Sequence, residues 1–181
     1  MRRLFTAVLL AAGVASAETW VVAPRPHGAV RFKVEGPIDD VNGETRQLSG
    51  SLELDPTNLA ATRGVVAVEL SQLRTGIDER DRDMRVEFLA VARFPFAILQ
   101  VDRLERPSAA ALSVDQTVDA EAVGSFEVHG VRRQLRFGVK LKLTAERRIW
   151  VSGVFEVPFA DYGVPRPQRL FLKLGDTADV R

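Results

Sequence analysis

Hydrophobic and polar residues alternate with a period of two along most of this chain, the pattern of strands with one buried face. Val30, Phe32 and Val34 alternate with Arg31, Lys33 and Glu35. Leu48, Leu52 and Leu54 share a face with Gly50 between them, and Asp55-Pro56 ends that run. Val66, Val68 and Leu70 form a third set. Leu135, Phe137, Val139, Leu141 and Leu143 form a fourth, against Arg136, Lys140 and Lys142. Ile149, Val151, Gly153, Phe155 and Val157 form a fifth, stopped by Pro158. Phe96-Ala97-Ile98-Leu99 is apolar on both parities and has no assignable face. From Arg106 to Ala122 the pattern weakens: Ser108 to Ala111 reads as a loop, and Val118, Ala120 and Ala122 as a strand of small residues.

Asn42-Gly43 and His129-Gly130 each predict a tight reversal between strands, since Gly accepts the positive φ that such turns need. Short strands at this spacing, with few helical segments between them, predict antiparallel pairing. A sheet of roughly seven or eight such strands loses its exposed edges by closing on itself. The expected fold is therefore all-β, a closed antiparallel β-barrel.

One segment departs from this. Between Arg74 and Phe88, Asp78 with Arg82 and Asp81 with Arg85 are spaced four apart, as in a helix. Ile77, Met84 and Phe88 fall on one face of it, with Asp81 leaning the same way. The piece is too short to stand alone and is expected to cap one end of the barrel. Its charges read mainly as a solvated, self-paired surface.

The start of the chain follows another logic. Met1-Arg2-Arg3 is basic, Leu4 to Val14 is mostly apolar, and Ala15-Ser16-Ala17 is the small-residue pattern of a cleavage site. This is the order of a secretory signal peptide, and the run is about half the ~20 residues a transmembrane helix requires. The expected organisation is a signal peptide over 1–17, cleaved after Ala17, and one barrel domain over 18–181. The expected location is periplasmic or secreted, with no membrane span after cleavage.

Composition narrows the function. The 181 residues carry 25 Lys+Arg against 24 Asp+Glu, a net charge of +1 that argues against nucleic acid. The absence of cysteine removes disulfides, thiolate metal sites and thiol catalysis. Two histidines, His27 and His129, do not make a usual zinc site without added carboxylates. No G-x-S-x-G elbow and no phosphate- or dinucleotide-binding glycine loop is present. A carboxylate-dependent hydrolase has only the abundance of acids in its favour. The expectation is a protein that is not an enzyme, with no metal and no cofactor.

A barrel of this size either fills with its own side chains or holds an apolar ligand. Phe32, Phe126, Phe137 and Phe155 serve both readings. Gly50, Ala120, Ala122 and Gly153 leave room inside, or mark bends.

Several motifs sharpen the choice. Leu73-Arg74-Thr75-Gly76, Arg80-Asp81, Val86-Glu87-Phe88-Leu89 and Phe94-Pro95 follow one another. Phe32 followed by Leu48 to Asp55, the Gly124 to Val131 hairpin, and Asp161-Tyr162-Gly163 complete the set. In order and spacing they resemble the YceI family over roughly residues 26 to 180. Asp83 stands where many members carry His, and Leu89 replaces a second aromatic. The resemblance implies a lipocalin-like barrel, usually exported, that binds polyisoprenoid or a similar long-chain isoprenoid or fatty-acyl lipid. The interior and cap residues expected to meet it are Phe32, Val34, Leu52, Leu54, Val68, Met84, Phe88, Phe126, Phe137, Val139, Phe155, Arg80 and Asp81. An Arg of the cap (Arg74 or Arg80) suits a phosphate or carboxylate head group, and the competing expectation, which takes precedence, is that Arg80 and Asp81 only tie the cap to the barrel. A homodimer is compatible with the chain. The rival expectation is a filled barrel whose loops, such as Val164-Pro165-Arg166-Pro167, bind a protein partner.

Overall fold

In the computed structural model, which describes residues 17–22, 28–166, 168–169 and 172–181, the alternating sets form antiparallel strands. The signal segment up to Ser16, His27 and Pro167 lie outside the described residues. The strands are β1 (Glu18–Val21), β2 (Val30–Val34), β3 (Val41–Thr45), β4 (Leu48–Asp55), β5 (Asn58–Glu69), β6 (Phe96–Glu105), β7 (Thr117–Val128) and β8 (Val131–Leu143). They continue with β9 (Ile149–Gly153), β10 (Phe155–Pro158), β11 (Gln168–Arg169), β12 (Leu172–Lys173) and β13 (Thr177–Val180). A curled seven-stranded sheet runs β1-β4-β5-β6-β7-β8-β9, and a four-stranded sheet runs β10-β13-β2-β3.

The hydrogen-bonded ladder does not close, which corrects the expected closed barrel. The wall passes between sheets through bent strands instead. Only Arg46-Gln47 separate β3 from β4, and only Val154 separates β9 from β10. At the first bend Glu44 and Arg74 exchange backbone bonds of 2.9 and 3.0 Å, so the wall stays joined there. At the second, β10 leaves β8 to pair with β13. The Phe155 ring fills that seam, its centroid 5.1 Å from those of both Phe126 and Phe137. Ring bulk thus stands where a ladder would need backbones about 4.8 Å apart.

The two ends are sealed differently. At one end, Leu54, Leu59, Leu104, Leu112, Val118, Ala122 and Leu141 pack as a buried floor. The loop between β6 and β7 lies across it, Leu112 N donating to Pro56 O at 2.7 Å. The other end carries helix α1 (Asp78–Asp83) and a wide π-type turn over Met84–Phe88. The helix begins at Asp78, where the charge pairing begins, and Arg74 before it is held by backbone bonds to Glu44. Ile77 precedes the helix and is exposed, whereas Met84 and Phe88 pack onto the core.

The two expected turns part ways. His129-Gly130 is a two-residue reversal, with φ of 55° and 75° and Val128 paired to Val131. Asn42-Gly43 lies inside β3, a correction with a steric cause. A Cβ on Gly43 would overlap the Phe32 ring of the facing strand, so this Gly permits close approach rather than reversal. Gly153 likewise makes room for Phe137, whose ring would sit 2.8 Å from an added Cβ, and Gly50 for the backbone of Val65. Gly153 also borders the interior space, and Gly50 does not. The weak stretch at Val118 to Ala122 belongs to the long strand β7, where Ala122 faces Phe137 and Ala120 faces Val139. Of the ambiguous Phe96 to Leu99 run, Ala97 is buried and Phe96 exposed.

Thr62 is 2% exposed on β5, and its hydroxyl has no hydrogen-bond partner among the described residues. An unsatisfied buried hydroxyl costs about 1–3 kcal/mol, while an apolar replacement of the same shape does not. Thr62→Val is expected to leave stability unchanged or raise it by about 1 kcal/mol, read from the urea midpoint.

Candidate functional site: an apolar cavity under the cap

Among the described residues, the inward faces of both sheets line a half-open cavity of about 2020 Å³ that extends to exposed residues such as Val21, Ile38 and Trp150 at its edges. Drug-sized pockets span about 300–1,000 Å³, so this space suits a longer molecule. Phe32 and Val34 on β2, Leu52 and Leu54 on β4, Val68 on β5, Phe126 on β7, Val139 on β8 and Phe155 on β10 all line it. Met84, Phe88 and Arg80 line it from the cap. Phe137 and Asp81, expected in the same set, are not among the lining residues. Phe137 stands behind Phe155 and against Gly153, a wall-supporting position.

Asp81 lies beneath the cap, 4% exposed. Its Oδ1 accepts from Thr75 N at 2.7 Å and from Thr75 Oγ1 at 2.5 Å. Burial pushes the carboxyl up, but the Thr75 bonds and the nearby Arg85 guanidinium outweigh it and hold Asp81 below the ordinary carboxylate value. Arg80 donates from Nε to Thr75 Oγ1 at 2.8 Å and from Nη2 to Thr75 O at 3.1 Å. Arg85 Nη1 donates to Ser71 O at 3.2 Å. One threonine therefore ties both ends of the Arg80-Asp81 pair to the barrel rim. Arg80 still lines the cavity, as do Thr75, Asp83 and Glu87 beside it. Arg74 uses its backbone to bind Glu44 and is not a lining residue.

Periodicity missed other parts of the wall. Leu73 lines the cavity from the end of the 3-10 turn after β5, where a period of two no longer applies, whereas Leu70, which also lines it, was already in the alternating set with Val66 and Val68. Leu99 does so from the run that was apolar on both parities, and its only signal was hydrophobicity. Trp20 and Trp150, the two tryptophans of the chain, both border the cavity. The indole Nε1 of Trp20 is buried without a partner among the described residues. The expected interaction loop is no open tail: Val164 is buried and Arg166 Nε donates to Leu174 O at 2.8 Å.

Away from the cavity lining, Asp40, Asp55, Glu105 and Glu146 have lowered carboxyl pKa values, held ionised chiefly by bonds from Lys33, Thr57, Arg136 and Thr144 respectively. Among the described residues no three His, Cys, Asp or Glu side chains gather as a metal site. No helix among them is long and apolar enough to cross a membrane.

Barrel-like walls, a capped end, a sealed floor and an apolar interior define the class: an antiparallel β protein built around an internal cavity. Within that class, a family model of the YceI-like domain matches residues 20–181, and the chain belongs to that family. No curated protein sequence matches it. Solved structures share the fold at low identity. BcnA of Burkholderia cenocepacia is 10% identical, with a TM-score of 0.69 over 83% of this chain and 92% of its own. A polyisoprenoid-binding domain from Saccharophagus degradans, implicated in plant cell wall breakdown, is 17% identical, with a TM-score of 0.65 over 84% and 88%. The YceI protein of Campylobacter jejuni is 14% identical, with a TM-score of 0.58 over 70% and 72%.

Proposed function

We propose that this is an exported, non-catalytic binding protein that holds a polyisoprenoid or similar long-chain lipid inside its cavity. The observation that carries the reading is the cavity itself, about 2020 Å³ and walled by Phe, Leu and Val from both sheets. Burying each methylene of a lipid chain there is worth about 0.8 kcal/mol, which needs no catalytic group. Membership of the YceI-like family and the lipid-binding neighbour support the choice of ligand. The signal-like start supports export to the periplasm or medium. Arg80 at the mouth supplies a cation for a phosphate or carboxylate head group, while Thr75 keeps it in place. The rival reading, a filled barrel acting through its loops, requires an interior without such space.

Native mass spectrometry of the protein taken gently from its own envelope tests this, followed by organic extraction. A stoichiometric polyprenyl or fatty-acyl species is expected. A bare protein that also refuses added polyprenol would overturn the reading.

A further inference from the structure

The cap brings charge to the cavity as well as carbon. Arg80, Asp83 and Glu87 all line it, as do Met84 and Phe88 from the same segment. Spacings of three and then four residues set the charged side chains in one row along α1 and the turn that continues it. On a helical surface such neighbours stand about 5–6 Å apart. Asp81 is not part of this row: it lies buried beneath the cap and is occupied by Thr75.

The protein leaves all three only partly matched. Thr75 takes two of the five N–H groups of the Arg80 guanidinium. The Asp83 side chain is 29% exposed, and its one ion pair among the described residues is a long contact of 3.5 Å to Arg82, itself 72% exposed. Glu87 has no hydrogen bond or ion pair among the described residues. The row therefore turns one positive and two negative charges toward the cavity. A head group that is only anionic would gain Arg80 but meet two carboxylates, and like charges a few ångströms apart oppose binding. A head group with an ammonium beside its anionic oxygen meets both signs. Met84 and Phe88 exclude part of the water around the row, which strengthens both contacts.

We propose that the cap row of Arg80, Asp83 and Glu87 selects lipids with a zwitterionic head group, its anionic oxygen on Arg80 and its ammonium between Asp83 and Glu87. This rests on the lipid-cavity reading above and narrows its head group. The apolar wall holds the chain whatever head it carries, so the row sets which lipid is kept rather than whether lipid is bound.

Lysophosphatidylethanolamine and lysophosphatidylglycerol with the same acyl chain carry the same phosphodiester and differ by an ammonium against a diol. Each is titrated against a pyrene-labelled fatty acid in the cavity, in wild type and in Asp83→Asn/Glu87→Gln, which keeps the shape of both side chains. Wild type is expected to hold the ethanolamine lipid about fivefold more tightly than the glycerol lipid, the upper end for a partly exposed ion pair. The double variant should bind the two equally, and added salt should shrink the wild-type preference. Equal affinities in wild type, or a preference for the glycerol lipid, would overturn the proposal, as would a preference that the double variant retains. So would a protein that takes polyprenol and the labelled fatty acid but neither lysophospholipid. Refusal of all of these, polyprenol included, would instead remove the lipid-cavity reading itself.

Discussion

Leu59→Ala is expected to cost about 3 kcal/mol, whereas Leu99→Ala costs about 1 kcal/mol, although the same atoms are removed. Leu59 is fully buried in the floor between Leu54, Leu112 and Leu141, and it does not border the cavity. Its truncation opens a new void in a packed layer, and a void adds its own penalty to the lost transfer energy. Leu99 already faces open space on the cavity wall and is only half-buried. Its truncation enlarges a space that exists. Urea unfolding of the lipid-free variants measures both. Equal losses would mean that the wall is packed as tightly as the floor, and the cavity would then not be a cavity.

The second large effect concerns the cap. Asp81→Asn keeps the shape of the side chain but removes the charge that Thr75 and Arg85 address, and it should cost about 2 kcal/mol near neutral pH. The pH dependence follows from the direction of the shift. The folded protein holds the Asp81 carboxyl below its ordinary value of 3.8, so the folded state binds its proton less readily than the unfolded state does. The stabilisation is therefore fully present above about pH 3.8 and disappears as pH falls through the lower, folded value. Stability curves of wild type and Asp81→Asn should lie apart at pH 7 and converge in acid. Curves that stay parallel down to strong acid would show that Asp81 acts by shape alone. A cap loosened in this way should also lose bound lipid faster, since Met84 and Phe88 hang from the segment that Asp81 anchors.

How much of this was legible in the chain varies with the element. Where polarity alternates strictly, as from Leu135 to Leu143, both the strand and its inward face could be read directly, because the side-chain period of a strand is two. The His129-Gly130 reversal was equally local, since two consecutive residues at positive φ make a two-residue turn wherever they occur. Asn42-Gly43 misled for the converse reason: a glycine required for positive φ and one required for contact look identical in sequence. Only the Phe32 ring on the facing strand distinguishes them. The floor was hidden in the small residues of β7, whose smallness makes sense only once Phe137 and Val139 stand opposite.

The all-β class, most strand faces, the short acidic-basic helix and the family were readable from the chain, because they depend on local periodicity and on short ordered motifs. Whether the wall closes was decided by tertiary structure. The bends at Arg46-Gln47 and Val154 carry strands from one sheet to the other, and aromatic rings occupy the seam where a ladder would run. Whether the inside is filled or hollow was decided there too. Volume is a property of facing surfaces, and residues such as Leu73, Leu99 and Phe155 face one another only after distant strands have paired.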